Sequence, residues 1–485
     1  MTLHPLIEPG WVNAILPELI LCVGGLLLML FGAFGARLRG ITAPLALIVF
    51  IVTAWSEKLV LAGTFFGGTY EISGITRIFD ITFLLSAILA TLFAREYLER
   101  EGIEGGEFYA LLMWATVGMM MMAKGLDLLI VILGLELLSI CIFVLVGYHR
   151  RIPVSNEASL KYFLMGAFAT GFILYGTALF YGATRSTNFT EMARAFSTAD
   201  PNNVLLSIAF VLLMSGLGFK LAAAPFHGWA PDVYQGAPSP IAGWLSVAPK
   251  AATLIALVRL LSAMLPMLQF SVWMKMIAAL SVLSMVIGNA AAIAQRDLKR
   301  MLAYSGIAHV GYMLIALLSL RDESVAAIAV YTITYALMNI GAFGVVSTLA
   351  KNQNDPQTLD DIAGLGFRSP FSGLALTVCM FSLSGLPPTA GFIAKFYIFK
   401  TAVDSGHLAI AIVGILTSIV SVYYYLRVVY YLYMKEPAER YATVPAGGIF
   451  ATGALAIAMI GIFLIGLFPT PLFAMAGAAA HALLP

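Results

Sequence analysis

Residues 126–148 read LDLLIVILGLELLSICIFVLVGY, an apolar run that is about as long as a membrane is thick. A helix of about 20 apolar residues crosses the ~30 Å hydrocarbon core of a bilayer. Similar runs recur along all 485 residues of the chain, of which 61% are hydrophobic and 11% are charged. Soluble domains carry roughly 25% charged residues, so this composition excludes an ordinary water-soluble protein. The sequence therefore predicts an all-α polytopic membrane protein.

Charged residues and Pro or Gly breaks divide the chain into about 14 predicted transmembrane helices, within a single transmembrane domain that covers residues 1–485. The predicted spans are 15–34, 41–61, 75–94, 108–123, 126–148, 158–183, 203–233, 240–263, 270–294, 301–320, 324–350, 370–402, 407–434 and 447–473. Loops after odd-numbered spans carry thirteen Lys and Arg residues, against five on the other side. Because positively charged loops stay in the cytoplasm, we expect both termini on the periplasmic side.

Spans seven and twelve are too long for one crossing, and both contain proline. Span seven runs through Pro225, and span twelve runs through Pro387 and Pro388. Proline lacks an N–H and clashes with the carbonyl four residues earlier, so it kinks or breaks a helix. In hydrocarbon the freed backbone groups need protein or water partners, so broken helices occur beside cavities and polar paths. A kink that only improves packing is the alternative for either break alone, but two breaks beside lysines favour a transport path.

Four ionisable residues lie deep within predicted spans, namely Glu136, Lys220, Lys250 and Lys395. A charge at this depth costs several kcal/mol unless it is paired or hydrated, and it indicates a functional site. The alternatives are a structural Glu–Lys pair and lysines that extend to the membrane interface. Burial disfavours a charged lysine and a nearby carboxylate favours it, so a lysine whose carboxylate moves can load and release a proton. Three cations suit a proton path better than a Na⁺ path built from carboxylates and carbonyls.

Other polar residues within the spans are secondary candidates for a proton path. A buried histidine or tyrosine stabilises a core more often than it relays protons, and a lysine near a span end can be either an accessory station or an anchor. These candidates are Lys161, His227, Tyr304 and His309. Asp80 is expected to pair with Arg77 on its own helix. The tyrosines at positions 423–425, 430, 431 and 433 are expected to form an interfacial belt.

Motifs for cofactors are missing from the sequence. The three cysteines and six histidines are scattered and show no metal-ligand spacing. The net charge of +2 provides no basic face for nucleic acid. We therefore expect no metal, no redox cofactor and no nucleic-acid partner for this chain, and a lipid bilayer as its surroundings.

Three strings of residues resemble the antiporter-like subunits of respiratory complex I, the proton-translocating NADH:quinone oxidoreductase. They are PFHGWAPDVYQGAP at 225–238, DLKRMLAYSGIAHVGY at 297–312 and SGLPPTAGF at 384–392. The form DVYQGAP is similar to the N branch of this family, as is a lysine at position 395, where the M branch is expected to have a glutamate. The resemblance covers nearly the whole chain.

The resemblance implies two inverted five-helix repeats, spans four to eight (108–263) and nine to thirteen (270–434), with broken helices seven and twelve. It implies that Glu136 pairs with Lys220 as the pumping lysine, that Lys250 is the central lysine and that Lys395 is the terminal one. In span seven, however, the lysine precedes the proline break, whereas in span twelve it follows the break.

The resemblance also implies partners and a location. NADH, FMN, iron–sulfur clusters and quinone would belong to other subunits, and neighbouring membrane-arm subunits would deliver the energy, in the inner membrane of a bacterium. Three alternatives remain at this point. The chain could be a subunit of a multisubunit Na⁺/H⁺ antiporter, part of a related complex fed by ferredoxin, hydrogen or F420, or a scaffold whose buried charges only hold its neighbours.

Overall fold

The computed structural model describes residues 10–33, 36–198, 200, 203–265, 272–350, 358–436 and 447–481, which are almost entirely helical. The first helices are α1 (Trp11–Ala14), α2 (Leu16–Ala33), α3 (Ala36–Ser56), α4 (Gly74–Glu101), α5 (Gly106–Lys124), α6 (Leu128–Val146), α7 (Pro153–Thr184), α8 (Phe189–Thr198), α9 (Val204–Leu221), α10 (Ala230–Gly236), α11 (Ser239–Leu245) and α12 (Ala248–Ala263). The later helices are α13 (Val272–Ala294), α14 (Leu298–Ala316), α15 (Asp322–Tyr335), α16 (Gly341–Leu349), α17 (Leu365–Arg368), α18 (Pro370–Ser384), α19 (Ala390–Asp404), α20 (Leu408–Met434), α21 (Ile449–Leu467) and α22 (Thr470–Ala480).

Eleven helical stretches within the described residues are long and apolar enough to cross a membrane. This agrees with the predicted multi-pass membrane architecture. The stretch Ser239–Ala263 is buried along its whole length, and the stretch Asp322–Leu349 is nearly so. These two stretches therefore lie at the centre of the bundle. In contrast, α7, α20 and α21 leave most of their apolar residues on the outside, as helices that face lipid do.

Two long spans are interrupted around their prolines. Residues 222–229 separate α9 from α10, and residues 385–389 separate α18 from α19. The prolines in these gaps are Pro225 in the first and Pro387 and Pro388 in the second. At the end of α18, Gly385 has a φ of 86°, in the left-handed region that glycine enters without a steric penalty. Each span is therefore a pair of half-helices.

A third interruption divides span eight between α11 and α12. Pro249 follows this gap and cannot donate a hydrogen bond to the carbonyl of Leu245, which ends α11. Ser246 Oγ lies in the gap and accepts a 2.5 Å hydrogen bond from Asn339 Nδ2. Asn339 belongs to a π-helical turn, Ala336–Ile340, that joins α15 to α16. Two irregular segments therefore meet in the most buried part of the bundle.

Side chains cap several helices at their N-termini. A carboxylate or amide oxygen at this position satisfies backbone N–H groups that have no partner within the helix. The capping residues are Asp127 for α6, Asn203 for α9 and Asp297 for α14. Between α3 and α4, strands β1 (Gly63–Phe65) and β2 (Tyr70–Ile72) form an antiparallel hairpin, with Gly63 opposite Ile72 and Phe65 opposite Tyr70. Strand β2 packs against α4 and α5.

Candidate functional site

Lys220 lies in the last turn of α9, directly before the first helix break, and it is 6% exposed. Its Nζ donates a 2.7 Å hydrogen bond to Ser139 Oγ on α6. Nζ also lies 5.7 Å from the centre of the Phe143 ring, within the range of a cation–π interaction. The ammonium therefore has a hydroxyl group and an aromatic face as neighbours, in place of the carboxylate that the family pattern implies.

Glu136 lies one turn before Ser139 on α6 and is half-buried. Its Oε1 accepts a 2.7 Å hydrogen bond from Thr170 Oγ1 on α7. Within the described part of the chain, Glu136 and Lys220 therefore form no direct ion pair. Ser139, one turn after Glu136 on the same helix, contacts the lysine in place of the carboxylate.

Lys250 lies in the first turn of α12, just after the interruption in span eight, and is 2% exposed. Among the described residues its Nζ has no hydrogen-bond partner. A Cβ atom at Gly306 would lie 3.0 Å from this Nζ and 2.9 Å from Tyr335 Oη. The missing side chain of Gly306 therefore makes room for the lysine and the tyrosine hydroxyl. Nζ also lies 5.8 Å from the centre of the Tyr234 ring.

Lys395 follows the second helix break, on α19, and is 4% exposed. Its Nζ donates to the carbonyl of Leu383 at 2.9 Å, to the carbonyl of Ser384 at 3.0 Å and to Ser418 Oγ at 3.0 Å. Leu383 and Ser384 are the last residues of α18, so the ammonium occupies the negative end of that half-helix. Lys220 is a residue of the last turn of the half-helix α9, and its ammonium contacts Ser139 on α6. Each break thus has a buried lysine beside it, before the break in the first case and after it in the second.

His309 on α14 connects the regions around Lys250 and Lys395. Its Nδ1 lies 2.6 Å from Tyr331 Oη, and its Nε2 lies 3.1 Å from Tyr425 Oη. The imidazole stacks on the ring of Tyr335, at 4.9 Å between centroids. The ring of Tyr312, which lies 5.3 Å from Lys395 Nζ, is 5.7 Å from the imidazole. A histidine with both ring nitrogens in hydrogen bonds is suited to passing a proton in either direction.

A second chain of hydrogen bonds leads from this region towards Lys395. Tyr424 Oη donates to Asn289 Oδ1 at 3.0 Å, and Asn289 Nδ2 donates to Tyr312 Oη at 3.1 Å. Lys395 Nζ in turn lies 5.3 Å from the centre of the Tyr312 ring. These side chains are all buried. The three helices α13, α14 and α20 thus supply a buried polar network beside Lys395.

Comparison with known proteins identifies the family of this chain. The model of the family "NADH:quinone oxidoreductase/Mrp antiporter, TM" matches residues 125–421. The NADH-quinone oxidoreductase subunit N of Trichlorobacter lovleyi is 44% identical over 438 residues, which are 89% of this chain and 89% of the relative. The chain belongs to the NADH:quinone oxidoreductase/Mrp antiporter transmembrane family. The resemblance to the N branch of this family, predicted from the span-seven string and Lys395, is confirmed.

Solved structures agree with this family membership. A chain of respiratory complex I from Thermus thermophilus superposes with a TM-score of 0.81 at 34% identity and covers 95% of this chain and 99% of its own length. A chain of the Mrp complex from Dietzia sp. superposes with a TM-score of 0.82, with 98% of both chains covered, but at 18% identity. The second likeness shows a shared fold alone. The antiporter alternative therefore receives no support beyond the fold.

The secondary candidates differ in their surroundings. The side chain of Lys161 is 46% exposed and pairs with Glu157 at 2.7 Å and Asp232 at 3.3 Å, which suits an anchor better than a buried station. His227 is half-buried in the first helix break, and its ring lies 6.4 Å from that of Tyr304, which is also half-buried. These two candidates therefore lie close together at the first break, and not within the hydrogen-bonded network around His309.

The sequence does not identify Lys124 as a candidate, because it lies in the short loop between the predicted spans 108–123 and 126–148. It ends α5, is completely buried and lies against three carboxylates, those of Glu18, Glu57 and Asp80. The expected pair of Asp80 with Arg77 is wrong, because Arg77 instead donates to the carbonyl of Val60 at 2.5 Å. The i,i+3 spacing allowed a pair, but the buried ammonium of Lys124 is the nearer cation. Within the described residues, no group of three or more His, Cys, Asp or Glu side chains is arranged to hold a metal ion.

The expected interfacial tyrosine belt is only partly correct. Tyr423 and Tyr430 are 60% and 47% exposed, as residues of such a belt would be. Tyr424 and Tyr425 are fully buried and belong to the hydrogen-bonded network around His309. Consecutive tyrosines on α20 therefore have different roles, because the helix presents one face to the bundle and the other to its surroundings.

Proposed function

We propose that this chain is the subunit-N component of NADH:quinone oxidoreductase and moves protons across the membrane. Its relatives across nearly the full chain carry that name. One observation carries the mechanism: Lys220, Lys250 and Lys395 are all buried, and a hydrogen-bonded His–Tyr network lies between the last two. Such residues inside a bundle can hold a proton in succession. The chain acts as part of an oxidoreductase, and electron transfer takes place in other subunits.

The first proton step depends on the distance between Glu136 and Lys220. Glu136 is half-buried on α6, between Leu133 and Ile140, which are 58% and 60% exposed. A neighbouring subunit packed on this face can therefore present a charge to the carboxylate. If Glu136 moves towards Lys220, the lysine retains its proton more firmly, and if it moves away, burial favours release. Ser139, which contacts Lys220, is the group nearest to the proton as it leaves.

The later steps use the residues after the first break. Lys250 has no hydrogen-bond partner among the described residues, so its charge is stabilised mainly by the Tyr234 ring and by nearby hydroxyl groups. His309 can accept a proton from this side and pass it through Tyr425 towards the network that faces Lys395. Lys395 keeps its proton through two backbone carbonyls and Ser418. His227 and Tyr304 would act at the entrance of this path, whereas Lys161 would anchor its helix through its exposed ion pairs.

We also propose the finer architecture that the family resemblance implies. The chain would cross the membrane fourteen times, with inverted repeats at 108–263 and 270–434. Each half contains a broken helix with a buried lysine, and each break borders a cavity. The first cavity, of ≈ 570 Å³, is lined by Pro225 and Phe226, and the second, of ≈ 500 Å³, is lined by Gly385 and Lys395. This correspondence supports the repeat.

The membrane, the orientation and the partners follow from the same proposal. The chain would lie in the inner membrane of a bacterium with both termini in the periplasm, as the distribution of Lys and Arg indicates. Its partners would be the other membrane-arm subunits. NADH, FMN, iron–sulfur clusters and quinone would be bound by those partner subunits. A cysteine introduced near either end of the chain would test the orientation through labelling from the periplasm.

The decisive experiment uses inverted membrane vesicles that carry Lys220→Ala. NADH-driven quinone reduction and NADH-driven proton uptake are measured together, with Lys161→Ala as the matched control on a half-exposed lysine. We expect both activities to fall sharply for Lys220→Ala in a complex that still assembles, and to change little for the control. Unchanged NADH activities together with lost Na⁺/H⁺ exchange would establish the antiporter alternative. Normal pumping in Lys220→Ala would favour a scaffold.

A further inference from the structure

A buried group of four charged side chains lies apart from the row of lysines described above. Lys124 Nζ lies 2.7 Å from Glu18 Oε1, 3.2 Å from Glu57 Oε1 and 2.9 Å from Asp80 Oδ2. None of these four side chains is more than 8% exposed. They come from α2, the end of α3, α4 and α5, and we refer to them together as the Lys124 cluster. Three carboxylates thus share one ammonium group away from water.

The surroundings of the Lys124 cluster add little positive charge. Tyr70 on β2 donates a 2.6 Å hydrogen bond to Glu18 Oε1, so Glu18 has two donors. Arg77, one turn from Asp80, is directed at the carbonyl of Val60. Within the described residues, four carboxylate oxygens of the cluster are buried without a hydrogen-bond donor, although one of them, Asp80 Oδ2, is in ion-pair contact with Lys124. They are Glu18 Oε2, Glu57 Oε2, Asp80 Oδ1 and Asp80 Oδ2.

The charges of the Lys124 cluster do not balance if every carboxylate is ionised. One oxygen of each carboxylate lies within 3.2 Å of Lys124 Nζ, so any two of these three oxygens are at most about twice that distance apart. Coulomb energy falls with the inverse of distance. For any one carboxylate, repulsion by the other two at twice the distance therefore cancels its attraction to the ammonium. The third carboxylate therefore gains about nothing from its neighbours. Because it must still give up its hydration, burial keeps it neutral.

We propose that the Lys124 cluster is a proton-binding site that holds one exchangeable proton among its three carboxylates at neutral pH. Glu18, which has two donors, remains ionised, so Glu57 and Asp80 share the proton. The O–H of the protonated carboxyl also donates a hydrogen bond to one of the oxygens that have no other donor. With this proton bound, the net charge of the Lys124 cluster is −1 instead of −2.

This site is separate from the proposed proton path. All four residues precede position 125, where the match to the family model begins. The ammonium groups of Lys220, Lys250 and Lys395 have their own hydrogen-bond partners or aromatic neighbours elsewhere in the bundle. The inference therefore does not rest on the proposed function, and a failure of one leaves the other unaffected.

The test is infrared spectroscopy of the full chain in lipid nanodiscs at pH 7, in H₂O and in D₂O. A protonated carboxyl has a C=O stretching band that shifts in D₂O, whereas an ionised carboxylate lacks this band. The variants are Asp80→Asn, Glu57→Gln and Glu18→Gln, each of which removes one acid and keeps the side-chain shape. Glu71→Gln is the matched control, because Glu71 forms a one-to-one pair with Arg259 at 2.8 Å.

The proposal makes the same prediction for all three cluster variants. With two carboxylates left for one ammonium, both ionise, so each variant should lose one protonated carboxyl equivalent relative to the wild type. The Glu71→Gln spectrum should keep the full band. A cluster variant that also keeps the full band would overturn the proposal. If one variant fails to fold, the other two test the same prediction.

Discussion

The hydroxyl group of Tyr425 provides a sharp test of the central network. It lies 3.1 Å from His309 Nε2, and the tyrosine is fully buried on α20. Tyr425→Phe removes this one oxygen and keeps the aromatic ring, so packing around the histidine is preserved. Tyr331 still contacts the other ring nitrogen at 2.6 Å. The substitution therefore interrupts the connection towards Lys395 without removing the histidine.

Tyr425→Phe is expected to reduce the rate of proton transfer strongly and the stability of the protein only slightly. A hydrogen bond between neutral groups contributes about 1 kcal/mol to stability, and one to a charged group contributes about 1.5–3 kcal/mol. If a proton passes through His309, the imidazole is charged during that step, and the larger figure applies. Since about 1.4 kcal/mol corresponds to a factor of ten in rate, proton transfer should slow by roughly ten- to a hundredfold. The free energy of unfolding should fall by only about 1 kcal/mol.

The assay is NADH-driven quinone reduction and proton uptake in inverted vesicles, with the amount of assembled complex measured in parallel. Because electron transfer is coupled to proton movement, both rates should fall together for Tyr425→Phe. The control is Tyr423→Phe on the same helix, whose side chain is 60% exposed. A fully assembled Tyr425→Phe complex with wild-type rates would refute the reasoning, as would equal losses in the two variants.

Three further predictions concern other contacts. Gly385→Ala should reduce proton pumping and lower the stability by about 1 kcal/mol, because Gly385 has a positive φ and an added Cβ would lie 3.1 Å from Lys395 Cδ. The control is Gly453→Ala, where an added Cβ meets open space. It should change neither the vesicle activities nor the thermal unfolding of the complex. Lys161→Ala should leave most NADH-driven proton uptake intact, because its ion pairs are exposed; a loss as large as that of a buried lysine would contradict this. Lys124→Met should lower stability by about 3–5 kcal/mol, since it leaves three buried carboxylates without a cation; unchanged thermal unfolding of the complex would contradict it.

The membrane fold and the buried lysines were predictable because their signals are local. A run of apolar residues fixes a helix and its environment without knowledge of distant residues. The depth of Lys220, Lys250 and Lys395 follows directly from their positions within such runs. Proline similarly acts on its own helix, so the interruptions at Pro225 and in span twelve also follow from the sequence.

The partners of these residues were not predictable, because they come from distant parts of the chain. The sequence makes His309 only a secondary candidate, since it does not show which residues contact an isolated histidine in an apolar helix. Its two tyrosines lie 22 and 116 positions away. Lys124 ends its apolar run, so its position suggested a loop, and its contacts Glu18 and Glu57 lie 106 and 67 positions away. Only the packing of α2 to α5 reveals that this lysine is buried.

The order of residues around the two breaks shows most clearly what the sequence leaves open. Lys220 precedes its break and Lys395 follows its own, which makes the two halves look unrelated. The side chain of Lys395, however, returns across the break to the carbonyls of Leu383 and Ser384, where Gly385 has no side chain to obstruct it. The ammonium of Lys395 therefore occupies the C-terminal end of the first half-helix, where the helix dipole favours a cation. Lys220 belongs to the last turn of its own first half-helix, and its ammonium contacts Ser139 on α6. What the two breaks share is therefore a buried lysine beside the interruption, which can belong to the half-helix before the proline or to the one after it.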